Sequence, residues 1–476
     1  MNRRSRLAIY SGIYAALYSF CLYKNLGGAT FPFFVIGTLC YIYLCTKEFS
    51  LTWKKDTKFF ALIVTLIGIS QPLTDKPMIH FFNIVFVFTL LIYIALHQFA
   101  FDEKWSFVQT FANIFKAFAG AISKFFAPIG DLSRYKHMKR NAEDTERSSF
   151  PWATVLISIA VTFPFVIIVI LILSDADAVF KKMWNNLFNI ILPDMTWLKV
   201  VLLTLIVFFF AYGLIAHLLT FPYSGAAKEK NRFSPTAAIT AGIMFDVIYV
   251  IFCVIQILFL FIGKFTLPEG YSYAEYARSG FFQLLFICII NLLMVLVGIE
   301  LFTGNKILKT ILSIMCGCTY IMTASSAFRM ILYIKYYYFT YLRVLVLWVL
   351  AVIAILLTGL LVKIWRENVN LFKFSFVTFF SMYILLAFSH LDYVVTDLNI
   401  SLADEQSSFF EKDGYSDLNY ILYETCLDNA PLVLNDSRFS SIRQDYINEH
   451  FTDINEEMSF REFNLSRFLA MKYSDK

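Results

Sequence analysis

Residues 280–301 read GFFQLLFICIINLLMVLVGIEL, and this stretch decides the fold class. At a helical rise of about 1.5 Å per residue it reaches roughly 33 Å, enough to cross a hydrocarbon core of about 30 Å. Ten further apolar runs flank it, at 7–23, 29–45, 59–71, 79–96, 152–174, 197–219, 237–263, 307–334, 343–362 and 372–389. Composition agrees: 59% of the 476 residues are apolar, 16% are charged, and mean hydropathy is +0.65. A soluble chain of that composition would aggregate. Inside lipid every backbone polar group needs an internal partner, so runs of this length are helices. The expectation is an all-α, polytopic transmembrane helical bundle of about eleven spans, followed by a small helical C-terminal tail. The third run is short and ends at Gln71 and Pro72, so it either crosses or re-enters.

Lys and Arg are retained in cytoplasmic connections. With the N-terminus inside, the inner connections hold 23 basic residues and the outer ones 10, which predicts a cytoplasmic N-terminus and an extracytoplasmic C-terminus. Basic residues open the first run as in a signal peptide, but no small-residue cleavage pattern follows, and it reads as a retained anchor. The net charge of +5 hides a split: from His390 onward there are 17 acidic and 7 basic residues. Four regions follow: a four-span leader over 1–96, a cytoplasmic amphipathic helix with a charged linker over 97–151, a seven-span core over 152–389, and an acidic extracytoplasmic helical tail over 390–476.

Seven of the eight cysteines lie in or beside the runs and only Cys426 lies in the tail, so no disulfide framework can form there. Trp105 to Phe126, wound at 100° per residue, places Val108, Phe111, Phe115, Phe118 and Ile122 on one side and Gln109, Asn113, Lys116 and Lys124 on the other. A cationic amphipathic helix beside a span lies in the interface with membrane lipid as its partner, or packs on the inner face of the bundle. In the tail, Asp417 to Asn435 predicts a short helix with Pro431 as its breaker, and Arg438–Phe451 and Arg461–Tyr473 predict two more. Three such helices need each other, or the membrane surface, to cover their apolar faces.

Phosphate-loop, HExxH, GxSxG and zinc-spaced Cys or His motifs are all absent, so no catalytic residue, metal ligand or cofactor is assigned, and nothing points to a nucleic acid. Polar residues inside spans are costly and mark either a pathway or an internal hydrogen-bond pair. Asp246, Tyr249, Cys253 and Gln256 fall at steps of 3, 4 and 3 on one face of the seventh span. Asp246 lies near mid-bilayer, where it is either a protonatable or cation-binding group in a polar path or a buried anchor between helices. Ser326, Arg329, Tyr333, Tyr336, Thr340 and Arg343 form a second stripe rising toward the outer surface. Asp175, Asp177, Glu275, Arg278, Arg329 and Arg343 form a candidate outer rim, in which a carboxylate of Asp175, Asp177 or Glu275 is expected to pair with Arg329. Tyr271, Tyr273 and Tyr276 around Glu275 equally suit an interfacial helix with aromatic anchors.

YAEYARSGFF (273–282), TFPFVIIVILILSDADAVF (162–180), the Asp246 and Arg329 stripes, and REFNLSRFLAMKY near the C-terminus together resemble a bacterial multi-spanning family catalogued only as a domain of unknown function. The resemblance covers roughly residues 150–476 and implies the membrane fold without implying an activity. Where that family has Gly before the Thr that matches Thr340, this chain has Phe339, which argues against a tight turn. Three functions remain open: transport of a small solute or ion past Asp246, an envelope sensor or assembly module whose tail meets an extracytoplasmic protein partner, and an enzyme acting on a lipid-linked substrate.

Overall fold

The computed structural model describes residues 3–100, 107–131, 196–221, 233–258, 281–366, 368–405, 417–440, 442–451 and 458–474, with isolated positions between 102 and 184 and at 223. The described helices are α1 (Arg3–Leu22), α2 (Thr30–Glu48), α3 (Lys55–Ser70), α4 (Pro77–Phe99), α5 (Phe107–Ser123), α6 (Thr196–Thr220), α7 (Thr236–Gln256), α8 (Phe281–Leu301), α9 (Lys306–Tyr337), α10 (Tyr341–Trp365) and α11 (Leu371–Ala387). The C-terminal region adds α12 (Leu391–Glu405), α13 (Asp417–Tyr423), α14 (Ala430–Asn435), α15 (Arg443–His450) and α16 (Leu465–Ser474). Helix starts follow the capping chemistry of the sequence. Asn305, Thr340 and Asn370 each accept a backbone N–H of the first turn, from Ile307, Arg343 and Lys373. Pro77 begins α4, where its missing N–H costs nothing.

Seven described helices are long and apolar enough to cross a bilayer, or eight if α11 and α12, bent by 61°, form one broken span. The sequence count of eleven is therefore not reached among the described residues. The run at 152–174 lies almost wholly outside them. Of the rest, α1 begins with Arg3, Arg4 and Arg6, and α3 has 16 residues. The third run is nevertheless a continuous helix that does not turn back. Lys54 and Thr57 at its start meet Gln98 at the end of α4, and Gln71 at its finish donates to Leu26 O beyond α1, at 2.8 Å.

Two packed cores result. One joins α1 to α6 with α11, where Phe86 meets Phe380 and Tyr383 edge-on at 5.5 and 4.7 Å. The other joins α7, α8, α9 and α10 around Val295, Met315, Cys316 and Leu357. Ion pairs mark one end of the bundle: Arg6 with Glu48, Arg4 with Asp131, Lys54 with Asp102 and Lys373 with Asp56.

The α5 helix meets the bundle through its small residues and not through its aromatic stripe. Thr110, Ala117, Gly120 and Ala121 are buried, and α5 packs on α6 through this small-residue face. A Cβ on Gly120 would stand 2.2 Å from the His217 ring, and one on Gly213 would stand 2.7 Å from Ala121 O, so glycine on both helices permits the approach. Phe111, Phe115, Phe118 and Ile122 stay exposed. Glu300, at the end of α8, caps α5 by accepting the Phe107 and Val108 N–H groups at 2.8 and 3.3 Å.

In the tail, Ile421, Val433, Phe439 and Tyr446 share a small core. Pro431 does not end a helix there but opens α14. Three residues, 338–340, link α9 to α10: Tyr338 takes a positive φ of 60° without being glycine, and Asn399 of α12 clamps Phe339 by its N–H and its C=O, both at 2.9 Å.

Candidate functional site

Two polar constellations stand out, one inside the bundle and one where the tail meets it. The first begins at Asp246 on α7. The side chain is 6% exposed, and neither carboxylate oxygen has a hydrogen-bond partner among the described residues. The same face lies against α9, with Gly242 beside Ile311 and the Cys253 thiol donating to Cys318 O at 3.5 Å. Gln256 follows, its Oε1 accepting Ser325 Oγ at 2.7 Å and Arg329 Nη2 at 3.3 Å. Tyr249 is half-buried between Asp246 and Gln256. From α8, Asn291 Nδ2 donates to Thr319 Oγ1 at 3.0 Å, and Cys288 Sγ accepts Thr323 Oγ1 at 3.5 Å. Helices α7 and α9 thus bring their polar stripes together, so that a file of polar side chains runs between three helices from Asp246 to Arg329. Asn291, Thr319, Thr323 and Ser325 escaped the sequence reading because single uncharged polar residues in apolar runs carry no pattern of their own.

The outer rim is only partly described. Asp175, Glu275 and Arg278 lie outside the described residues. Asp177 does not pair with Arg329: it accepts the Val179 and Phe180 N–H groups at 2.7 and 3.2 Å, capping a local turn. Arg343 stacks on Tyr333 at 4.3 Å and donates to the carbonyls of Tyr337 and Tyr338.

The second constellation joins the tail to three bundle connections. FNLSR is its reader. Asn464 Nδ2 donates to Thr74 O at 2.8 Å, Leu465 N to Pro72 O at 2.8 Å, Ser466 Oγ to Leu73 O at 2.9 Å and Arg467 Nε to Asp75 Oδ1 at 2.8 Å. Deeper in, Asp428 accepts Thr74 Oγ1 at 2.6 Å and Asp75 N at 2.8 Å and faces His390 Nδ1 at 3.4 Å. Asp392 accepts Lys76 Nζ at 2.8 Å and Cys426 N at 3.1 Å, while the same ammonium sits 4.4 Å from the Tyr341 ring centroid. Asn25 donates to Arg461 O, and Tyr420 OH accepts Tyr341 N at 2.7 Å.

Burial pushes the Asp428 carboxyl up, but its bonds to His390, Ser466, Thr74 and Asp75 outweigh this and hold it below the usual carboxylate range. The bond to Asp428 raises the His390 imidazole, against burial. Burial raises Asp392 in spite of Lys76. The sequence reading gave neither acid a place in a clasp; there they are two among the 17 of an acidic tail.

Residues 60–426 match the family model described as a domain of unknown function (DUF4153). The match starts within α3 and stops at Cys426, short of FNLSR, whereas the resemblance read from the motifs ran over about 150–476. No curated protein and no solved structure matches the chain.

Proposed function

The protein belongs to this DUF4153 family of unknown function, and since no activity comes with that membership we propose one from its own residues: passage of a small solute or ion across the membrane along the polar file past Asp246. The observation that carries the reading is the buried Asp246 carboxylate with no hydrogen-bond partner among the described residues. An ionised carboxylate in that setting is costly, so it holds a proton or meets a cation. A group that exchanges one state for the other is what a coupled pathway requires, and Gln256, Asn291, Thr319 and Ser325 supply polar contacts for a solute beyond it. In this reading the protein sits in a bacterial cell membrane with its N-terminus inside and its tail outside, and the exposed aromatic side of α5 meets lipid.

The test is a flux assay. Proteoliposomes carrying a pH-sensitive dye and given a proton or sodium gradient are expected to discharge it with the wild-type protein and to hold it with Asp246→Asn. The Asn variant is expected to fold, since no partner of either oxygen is lost. Identical discharge by wild type, variant and protein-free liposomes would return Asp246 to the role of a packing anchor.

The docked tail favours a second reading, an envelope sensor or assembly module. Buried charged groups clasp it to three connections, so a protein partner that engages the tail would pull on the bundle through Thr74, Lys76 and Phe339.

A further inference from the structure

The seam between tail and bundle is not closed everywhere. A cavity of about 320 Å³ opens between Lys24, Gly27 and His80 on the bundle and Glu462, Asn464 and Arg467 on the tail. Lys24 stands exposed at its edge on a left-handed φ of 52°, with no ion-pair partner among the described residues. Arg467, which lines the cavity, uses Nε for Asp75, and its terminal nitrogens have no hydrogen-bond partner among the described residues. His80 donates from Nε2 to Thr74 O at 2.8 Å, and its ring packs 3.2 Å from where a Cβ on Gly27 would stand. Glu462 Oε2 accepts Ser459 Oγ at 3.1 Å and leaves Oε1 open.

Exposed apolar side chains stand close to the lining residues along the chain. Leu26, Phe33, Phe81 and Phe460 are each about half exposed or more, and the Phe33 and Phe460 rings lie 6.3 Å apart. Phe33 is in the first turn of α2 and Phe81 in the second turn of α4, at the ends of helices that can cross a bilayer. Aromatic and aliphatic side chains exposed at that height meet the boundary between headgroups and acyl chains. A polar cavity with two cations and one acid therefore lies directly beside a lipid-facing edge.

We propose that this cavity binds the headgroup of a phospholipid bearing a phosphate and a primary ammonium, the phosphate held by Lys24 and Arg467 and the ammonium by Glu462. Two cations suit the phosphate oxygens through charge-assisted hydrogen bonds, and a single carboxylate suits an N–H donor of the headgroup. Asn464 and Arg467 also fasten the tail, so the bound lipid bridges tail and bundle. The proposal goes beyond transport past Asp246 and does not depend on it.

The experiment measures the thermal midpoint of the delipidated full-length protein in detergent with added phosphatidylethanolamine, phosphatidylglycerol, phosphatidylcholine or free phosphoethanolamine. A rise is expected with phosphatidylethanolamine, a smaller one with phosphatidylglycerol, and the least with phosphatidylcholine, whose quaternary ammonium has no N–H to donate. Lys24→Gln is expected to reduce the rise at least threefold for both phosphatidylethanolamine and phosphatidylglycerol. Glu462→Gln is expected to remove the difference between those two lipids while leaving the phosphatidylglycerol response in place. Both side chains are exposed, so neither variant should disturb folding. Equal shifts with all three lipids, or wild-type responses in both variants, overturn the site. A full response to free phosphoethanolamine overturns the lipid as its source.

Discussion

Asp428 holds the tail through donors on the bundle side and the tail side at once, and its removal strands them. Asp428→Ala leaves the Thr74 hydroxyl, the Asp75 N–H and the His390 ring without their acceptor in a buried place. A loss of roughly 3 kcal/mol in tail docking is expected, seen as tail cleavage by protease at concentrations that spare the wild type. The pH dependence has a definite sign. His390 is raised, so its contribution is complete below its ordinary value of 6.5 and is lost as pH rises through the folded value. Asp428 is lowered, so its contribution is complete above 3.8 and is lost as pH falls through the folded value. Asp392, raised, acts against Asp428 by favouring its own proton as pH falls. The clasp is therefore expected to be firmest between about pH 4 and 6.5. Exchange of the Leu465 N–H, bonded to Pro72 O at 2.8 Å, should quicken above that window after correction for intrinsic rates, and His390→Gln should flatten the rise. At this scale the sequence was legible where contrast was high. A carboxylate in an apolar run announces itself, as Asp246 did, whereas Asp428 and Asp392 gain their meaning only from a connection more than 300 positions away.

The elements were legible as helices because period and run length are local properties, but the face each one buries was not. In α5 the aromatic stripe was the visible signal, yet Ala117, Gly120 and Ala121 make the contact, since small residues let two backbones approach. Gly120→Val is expected to push against His217 and break its 3.0 Å bond to Tyr223. A cost of about 1–3 kcal/mol should appear as a lowered thermal midpoint in detergent. Phe115→Ala, at a side chain 73% exposed, should leave that midpoint unchanged. FNLSR was conspicuous as a string, while its task was hidden for a physical reason. It binds mainly backbone carbonyls of residues 72–74, which any sequence would present.

For the whole molecule, α1 sets the geometry from which orientation follows. Arg6 at its start pairs with Glu48, and Asn25 just past its end meets Arg461 of the tail. A helix of 20 residues is about 30 Å long, so the N-terminal residues and the tail occupy opposite ends of the bundle. The Lys47–Lys58 connection and the Lys373 end of α11 share the N-terminal side, through Glu48 and the Lys373 to Asp56 pair. The sequence assigns 23 basic residues to the connections of that side and 10 to the others, and the expectation from this bias is that it faces the cytoplasm. The arrangement predicts opposite labelling of two exposed positions. With the exposed Cys40 changed to Ser, Ser50→Cys and Tyr423→Cys variants in intact cells meet a membrane-impermeant maleimide. Position 423 is expected to react at once and position 50 only after lysis. Reaction of both from outside would break the link between α1 and the two sides. The reverse pattern would keep the bundle as described and turn it over, placing the tail, its clasp and the lipid-facing cavity beside Lys24 on the cytoplasmic side.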